Sequence, residues 1–190
     1  MALHSPLYHL LPVDLRLNPS ETLAQLLAQP NSDGSPTLSN SLPTLLLFEC
    51  VLAYMQPESS NAIIQWFVDY FSHSPNVVLG GLVYEMFGLK DAFGKVMLNN
   101  MKVNIQSSCK CGLYSPHFQA RNISLPGAEP FPDVPSLTSR FARRGFTTSH
   151  AMTLRDIRRS CITQSELERC VHRCRSQNGY PADLRQNIAP

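Results

Sequence analysis

The stretch Leu45-Leu46-Leu47-Phe48-Glu49-Cys50-Val51-Leu52-Ala53-Tyr54-Met55 decides the fold. Four apolar residues run into one carboxylate, and apolar character then resumes. Its first half reads as a buried strand leaving a core, with Glu49 at the point of exit. A carboxylate is costly there unless a cation or hydrogen-bond donors meet it. In open α/β sheets, ligands bind beyond the carboxyl ends of the strands. Glu49 is therefore either a ligand contact or a strand-end carboxylate satisfied by a helix N-terminus or an arginine.

The flanking residues repeat the pattern. Upstream, Leu7-Tyr8-His9-Leu10-Leu11-Pro12-Val13-Asp14-Leu15-Arg16 is a second short apolar segment ending in an acid. Downstream, Gln56-Pro57-Glu58 reads as a helix start, with proline suited to the first turn and Glu58 favoured by the helix dipole. The order is thus strand, Asp14, helix, strand, Glu49, helix. Successive strand-end acids suit a nucleotide-like ligand that carries hydrogen-bond donors.

Local signals extend this order. A strand is expected over 7–14, and a helix from Asn18-Pro19-Ser20-Glu21 to about Gln29. Residues 30–41 read as a loop. A strand over 43–49 precedes a helix over about 57–73, with Ala62, Ile63, Trp66, Phe67, Tyr70 and Phe71 on one apolar stripe. Residues 76–84 read as a third strand. A helix over 88–102 carries Phe93, Val96, Met97 and Met101. A helix near 136–144, a strand near 150–154 and a helix opened by Thr163-Gln164-Ser165-Glu166 follow. Alternation of this kind implies a mostly parallel, helix-covered sheet.

Composition narrows the class. The 190 residues are 43% hydrophobic and 16% charged, enough for a real core and without a strong charge bias. No apolar run approaches the roughly 18 residues of a membrane span. The first twelve residues lack the basic start and apolar core of a signal peptide, so a cytoplasmic location is expected. The six cysteines are then expected to be free thiols. Neither Cys109-Lys110-Cys111 nor Cys170, His172 and Cys174 has zinc-ligand spacing, so no metal is expected. Asn122-Ile123-Ser124 fits a glycosylation pattern that carries little weight in the cytoplasm. No G-x-S-x-G turn supports a hydrolase, and no G-x-G-x-x-G turn is present.

Val13-Asp14-Leu15-Arg16, Leu42-Pro43-Thr44-Leu45 and Glu49-Cys50-Val51-Leu52-Ala53-Tyr54-Met55 together resemble the leucine carboxyl methyltransferases. So do Tyr84-Glu85-Met86-Phe87, Asp91-Ala92-Phe93-Gly94, Met97-Leu98-Asn99-Asn100-Met101, Ser124-Leu125-Pro126-Gly127, and Arg140-Phe141 with Gly145-Phe146-Thr147. The resemblance covers residues 5–102 and 120–169, is strongest for fungal members, and matches the C-terminal half of the family. It implies a Rossmann-like S-adenosylmethionine-dependent methyltransferase fold. That fold is incomplete here, without the N-terminal strands, the glycine-rich turn and the basic residues of the family's other half. The implied reaction is methylation of the C-terminal leucine carboxylate of type 2A protein phosphatase catalytic subunits, without metal, membrane or nucleic acid. The implied contacts to S-adenosylmethionine are Asp14 and Leu15 against the adenine, and Glu49 near the ribose or methionine part. Arg16 reads as a surface arginine and Tyr54 as a packed tyrosine. The implied domain is 1–169, and the truncated chain is expected to be inactive. Residues 170–190 (CVHRCRSQNGYPADLRQNIAP) read as an irregular tail outside the family.

A reading of another class rests on residues 140–175, where nine arginines face only Asp156, Glu166 and Glu168. Arg155, Arg158 and Arg159 share a helical face that suits RNA or an acidic protein. A solvated helix face explains the same pattern, and aromatic interleaving is absent.

Val103–Gln119 interrupts the resemblance. Every valine codon begins with GT, glutamine can be encoded by CAG, and a segment of 17 whole codons preserves frame. The segment has the form of a retained intron. Sequencing transcripts across it should show most of them lacking it, and a majority retaining it would refute that reading.

Overall fold

In the computed structural model, residues 3–5, 7–31, 34–74, 76–102 and 123–170 are described. They fall into two compact units, divided between Ala151 and Met152.

The first unit is a mixed α/β structure built on one parallel strand pair. β1 (Leu3–His4) and β2 (His9–Leu10) form a small antiparallel hairpin. α1 spans Leu23–Leu27, β3 Thr44–Glu49, α2 Pro57–Ser72, β4 Leu79–Tyr84, α3 Ala92–Lys102 and α4 Val134–Ala142. β3 and β4 pair in parallel from Thr44 opposite Leu79 to Glu49 opposite Tyr84. α2 supplies the crossover between them. Pro57 opens it in the first turn, with Glu58 beside it.

Three expectations need correction. The strand over 7–14 contracts to His9–Leu10 and pairs with the hairpin, not with the parallel sheet. The first helix begins only at Leu23, after the turns that Asn18 organises by accepting from the Ser20 amide at 3.1 Å. No strand forms at 150–154. Thr153 instead caps a helix, because its hydroxyl and the Asp156 carboxylate satisfy each other's backbone amides.

Side chains alternate across β3. Phe48 and Val83 of β4 pack on the main core of Leu23, Leu52, Met55, Ile63 and Ile64, and Leu46, on the same face of β3 as Phe48, is buried. Phe141 and Phe146 close that core edge-to-face, with ring centroids 5.9 Å apart. Within α2 the stripe is shifted from expectation. Ser60, Ile63, Ile64 and Phe71 are buried, Trp66, Phe67 and Tyr70 half-buried, and Ala62 exposed. The opposite sheet face is open, so β3 is not buried on both sides.

A second apolar cluster, centred on Ala53, Leu125 and Ala128, lies beyond the carboxyl ends of the strands. Met97, Leu98 and Met101 of α3 pack on it, while Phe93 and Val96 point to solvent. The two clusters share the short 3₁₀ turn Leu52–Tyr54. Gly127 fits against that turn. Its amide donates to the Ala53 carbonyl at 3.0 Å, and a Cβ there would overlap the Leu52 carbonyl oxygen and lie 2.7 Å from that of Met55.

Arg140 is 5% exposed and has no carboxylate bonded to it among the described residues. Its Nη2 donates to Ser60 Oγ at 2.6 Å and its Nε to Asn61 Oδ1 at 3.2 Å. The guanidinium lies 4.5 Å from the centre of the Phe131 ring. Burial pushes its pKa down to about 10, against the pull of Glu85. Arg140 thus ties α4 to the first turn of α2 through neutral partners and a ring face.

The second unit begins at Met152. It contains α5 (Leu154–Ser160) and a helical segment over 164–170, in which Arg169 pairs with Glu166. The proposed insert and all of the tail except Cys170 lie outside the described residues. So do Cys109, Cys111, His172 and Cys174. Among the described residues Cys50, Cys161 and Cys170 are free, and no helix is long and apolar enough to cross a membrane.

Two outcomes follow from this packing. Arg140→Ala should lower stability by about 2–4 kcal/mol, because it opens a cavity and strips partners from Ser60 and Asn61. Arg140→Met, which keeps volume without charge, should cost less. Because burial lowers the Arg140 pKa to about 10, below the ordinary guanidinium range, its protonation differs between folded and unfolded chains only as pH rises through about 10 and beyond. Urea unfolding should therefore give the same differences from pH 6 to 9. Gly127→Ala should destabilise as severely, with loss of amide protection at Ala53 in hydrogen exchange.

Candidate functional site

The carboxyl ends of β3 and β4 place three acids and a strained backbone close together in the chain's topology. Glu49 is the last residue of β3 and is exposed. No hydrogen bond or ion pair of its side chain occurs among the described residues. The helix-terminus or arginine partner that would make it purely structural is thus not found there. Cys50 follows with φ of 51°, a left-handed conformation uncommon for a residue with a side chain. Its amide still donates to the Tyr84 carbonyl at 2.7 Å, which extends the ladder by one bond while the chain turns away. Burial raises the Cys50 thiol pKa, and Glu85 and Glu49 push it further in the same direction. The thiol stays protonated near neutral pH and is a poor nucleophile.

Glu85, immediately after β4, was not singled out from sequence. Its carboxylate accepts from the Ala53 amide at 3.0 Å and from the Met86 amide at 3.1 Å. This fixes the Leu52–Tyr54 turn onto the neighbouring strand end. A carboxylate one residue past the end of an apolar run was the available signal, the same one that marked Glu49.

Asp14 and Leu15 approach from the hairpin side. The Leu17 amide donates to the Asp14 carbonyl at 3.2 Å, and Ser59 Oγ of α2 to the Arg16 carbonyl at 3.4 Å. These bonds hold the loop against the start of α2. Leu15 packs on the main core. An open groove results, lined by Val13, Asp14, Leu15, Arg16, Val51 and Tyr54 among others. The structure therefore brings Asp14 and Leu15 against the turn that follows Glu49. Glu49 itself is not part of the groove lining. Tyr54, expected to be packed, is instead half-exposed and lines the groove.

Asp14 is not an isolated acceptor. Arg16 donates to it through Nε at 2.8 Å, Nη2 at 2.7 Å and its own amide at 3.0 Å. These bonds lower the Asp14 pKa to about 2 and keep it ionised at any physiological pH. Both side chains are substantially exposed, so the pair shapes the groove more than it stabilises the fold. Oδ1 already accepts twice, whereas Oδ2 accepts only from Nη2 and keeps a lone pair for a further donor. The arrangement offers acceptors at two neighbouring strand ends, an apolar wall from Leu15, Val51 and Met55, and an aromatic edge from Tyr54. It suits a ligand with an apolar planar part, amine or hydroxyl donors and positive charge. Among the described residues there is no activated nucleophile and no group of three or more side chains that could hold a metal ion.

No protein-family model matches the chain. Leucine carboxyl methyltransferase 1 of Cryptococcus neoformans is 39% identical over 171 residues, which cover 88% of this chain and 42% of that protein. The Yarrowia lipolytica protein of the same name is 29% identical over 168 residues, 88% of this chain and 41% of its own length. The rat tRNA wybutosine-synthesizing protein 4 is 34% identical over 135 residues, 71% of this chain and 16% of its own length. The chain thus spans about two fifths of the leucine carboxyl methyltransferases it matches. Over 88% of its length, this chain is a homologue of the leucine carboxyl methyltransferase family.

Proposed function

We propose that the chain is the C-terminal part of a Rossmann-like, S-adenosylmethionine-dependent carboxyl methyltransferase. Its substrate is the C-terminal leucine of a type 2A protein phosphatase catalytic subunit, and it acts in the cytoplasm. The observation that carries this reading is the groove in which Asp14 and Leu15 meet Val51, Tyr54 and Met55 directly after Glu49. Those residues match the donor-rich, partly apolar character of the cofactor. When bound, the cofactor supplies an electrophilic methyl group on a sulfonium centre. Asp14 accepts from the adenine amine on the side that Arg16 leaves open, and Leu15 packs on the base. Glu49 accepts from the ribose or amino group at the strand mouth. A substrate carboxylate is already nucleophilic, so the protein's task is alignment and exclusion of water.

These contacts are only part of a site. Asp14, Glu49 and Glu85 are all acidic, and Arg16 is committed to Asp14. The residues offer no glycine-rich turn for close backbone approach and no second cation for the carboxylates of cofactor and substrate. Several missing charge-assisted bonds, each worth about 1.5–3 kcal/mol, would remove most of a micromolar affinity of roughly 8 kcal/mol.

One comparison favours a second reading of the substrate. The rat and human relatives named for tRNA modification leave an RNA-linked acceptor as the alternative. The arginine-rich stretch supports it weakly, since Arg140 is buried and Arg169 is paired. Salt-sensitive RNA binding by the chain would favour that alternative.

In calorimetry, residues 1–190 alone should show no micromolar affinity for S-adenosylmethionine and should not methylate a C-terminal leucine peptide. Joined to the N-terminal portion of a family member, they should do both. Glu49→Ala in the joined protein should then weaken cofactor binding at least tenfold. Micromolar binding by the isolated chain would overturn this division of the site.

A further inference from the structure

Asp14 and Arg16 both line the open groove, on the loop that Ser59 holds to the start of α2. Their pairing leaves specific atoms unused. Asp14 Oδ1 accepts from the Arg16 amide at 3.0 Å and from Nε at 2.8 Å. Oδ2 accepts only from Nη2, at 2.7 Å, and keeps a lone pair. A guanidinium carries five N–H donors, and this pair consumes two of them. The others, on Nη2 and Nη1, meet no partner among the described residues, and the Arg16 side chain is 74% exposed. A free acceptor and a free donor therefore stand side by side, on two atoms 2.7 Å apart. Two parallel charge-assisted bonds hold them in that geometry.

Neighbouring acceptor and donor atoms are what an amide side chain offers when it reads adenine from one edge. Adenine presents an amine donor flanked by ring-nitrogen acceptors. Hypoxanthine presents a carbonyl oxygen in place of the amine, and the polarity no longer matches. Leu15, Val51 and Met55 supply an apolar wall beside the pair. We infer that Asp14 and Arg16 act as one bidentate reader of an aminopurine. Asp14 Oδ2 accepts from the exocyclic amine, and an Arg16 Nη N–H donates to a flanking ring nitrogen. Arg16 is then a base-specificity residue, more than a surface arginine that neutralises an acid. An aspartate alone accepts from any amine, and an arginine alone donates to any acceptor, so the preference belongs to the pair. The adenine is that of the proposed cofactor, so this role for Arg16 rests on the methyltransferase reading for the source of the base.

Nucleosides test the pair on the 190-residue chain itself, by ligand-detected NMR at millimolar concentration. Adenosine should bind about tenfold more tightly than inosine. One of the two adenosine analogues with carbon in place of N1 or of N7 should bind about tenfold more weakly than adenosine, and it identifies the ring nitrogen that Arg16 meets. Arg16→Met keeps the apolar stem and removes the donors. It should erase the penalty of the carbon analogue and cut the preference over inosine to below about threefold. Both side chains are exposed, so its circular dichroism spectrum should be unchanged. The Asp14 carboxyl, held near 2 by Arg16, should titrate closer to the ordinary carboxylate range in Arg16→Met, as read from its carboxyl-carbon shift. An arginine that only holds Asp14 in place would leave the analogue penalty intact. A penalty that survives Arg16→Met would assign the donor to the backbone and overturn the inference. So would equal binding of adenosine and inosine, or no binding of adenosine at all. If the joined protein binds S-adenosylmethionine equally well after Arg16→Met, the methyltransferase reading stands and the role of Arg16 falls. An Arg16-dependent adenosine preference in the chain, without cofactor binding by the joined protein, would sustain the base site and refute the proposed function.

Discussion

The grip of Glu85 on the Ala53 amide is the contact on which the rest of the first unit depends. It joins the end of β4 to the turn that follows β3, and that turn belongs to both apolar clusters at once. Leu52 and Met55 enter the main core under α2, Ala53 enters the cluster shared with α3, and Tyr54 faces the groove. Gly127 presses on the same turn from the far side, where a side chain would have no room. The left-handed Cys50 lets the chain leave the ladder at the angle this demands. Backbone strain, a buried glycine contact and a carboxylate–amide bond thus converge on three residues. Strained geometry persists where its surroundings over-determine it, and such places are enriched in functional sites.

Electrostatics sharpen this picture. The strand mouth is acidic, and its cations are assigned elsewhere. Arg16 neutralises Asp14, and Arg140 is buried among Ser60, Asn61 and Phe131. A depressed guanidinium pKa is the mark of burial without a direct carboxylate partner. Such a group stabilises through oriented hydrogen bonds and a ring face, and it holds α4 where Phe141 and Phe146 complete the core. The acids at the mouth are left to meet charge or donors from outside.

Much of this was legible in the sequence, and the gaps have physical reasons. The apolar run ending in Glu49, the proline-opened α2 and the strand ending at Tyr84 each carry a local signal that the structure follows. The exposure of Leu45 and Leu47 does not, because a run of leucines looks the same whether one face or both are covered. Arg140 read as part of a basic stretch, since its partners Ser60 and Asn61 lie about 80 residues earlier in the chain. Residues 150–154 read as a strand, but the Thr153 hydroxyl serves as a helix cap instead. Asp14 was visible as an acid at a segment end, whereas its capture by Arg16 two residues later depends on a turn that spacing alone does not reveal. Glu85 carried the same signal as Glu49 and serves a different purpose: one is consumed by backbone amides, the other is left open.

That difference is what separates scaffold from site here. Two carboxylates stand at adjacent strand ends, in the same acidic field. Glu85 spends its acceptors on amides of the chain, so it fixes geometry and offers little to a ligand. Glu49 lies on the open sheet face and past the last apolar side chain of β3. An exposed acid beside an uncovered apolar patch gains little from water on one side and nothing from packing on the other. Its position becomes favourable once a donor is brought to it and the patch beside it is covered. Binding at Glu49 and covering of Leu45, Leu47 and Leu82 therefore favour each other, since excluding water from the face strengthens every hydrogen bond at its rim. Glu49 is the residue at which the open sheet face and the acidic strand mouth meet.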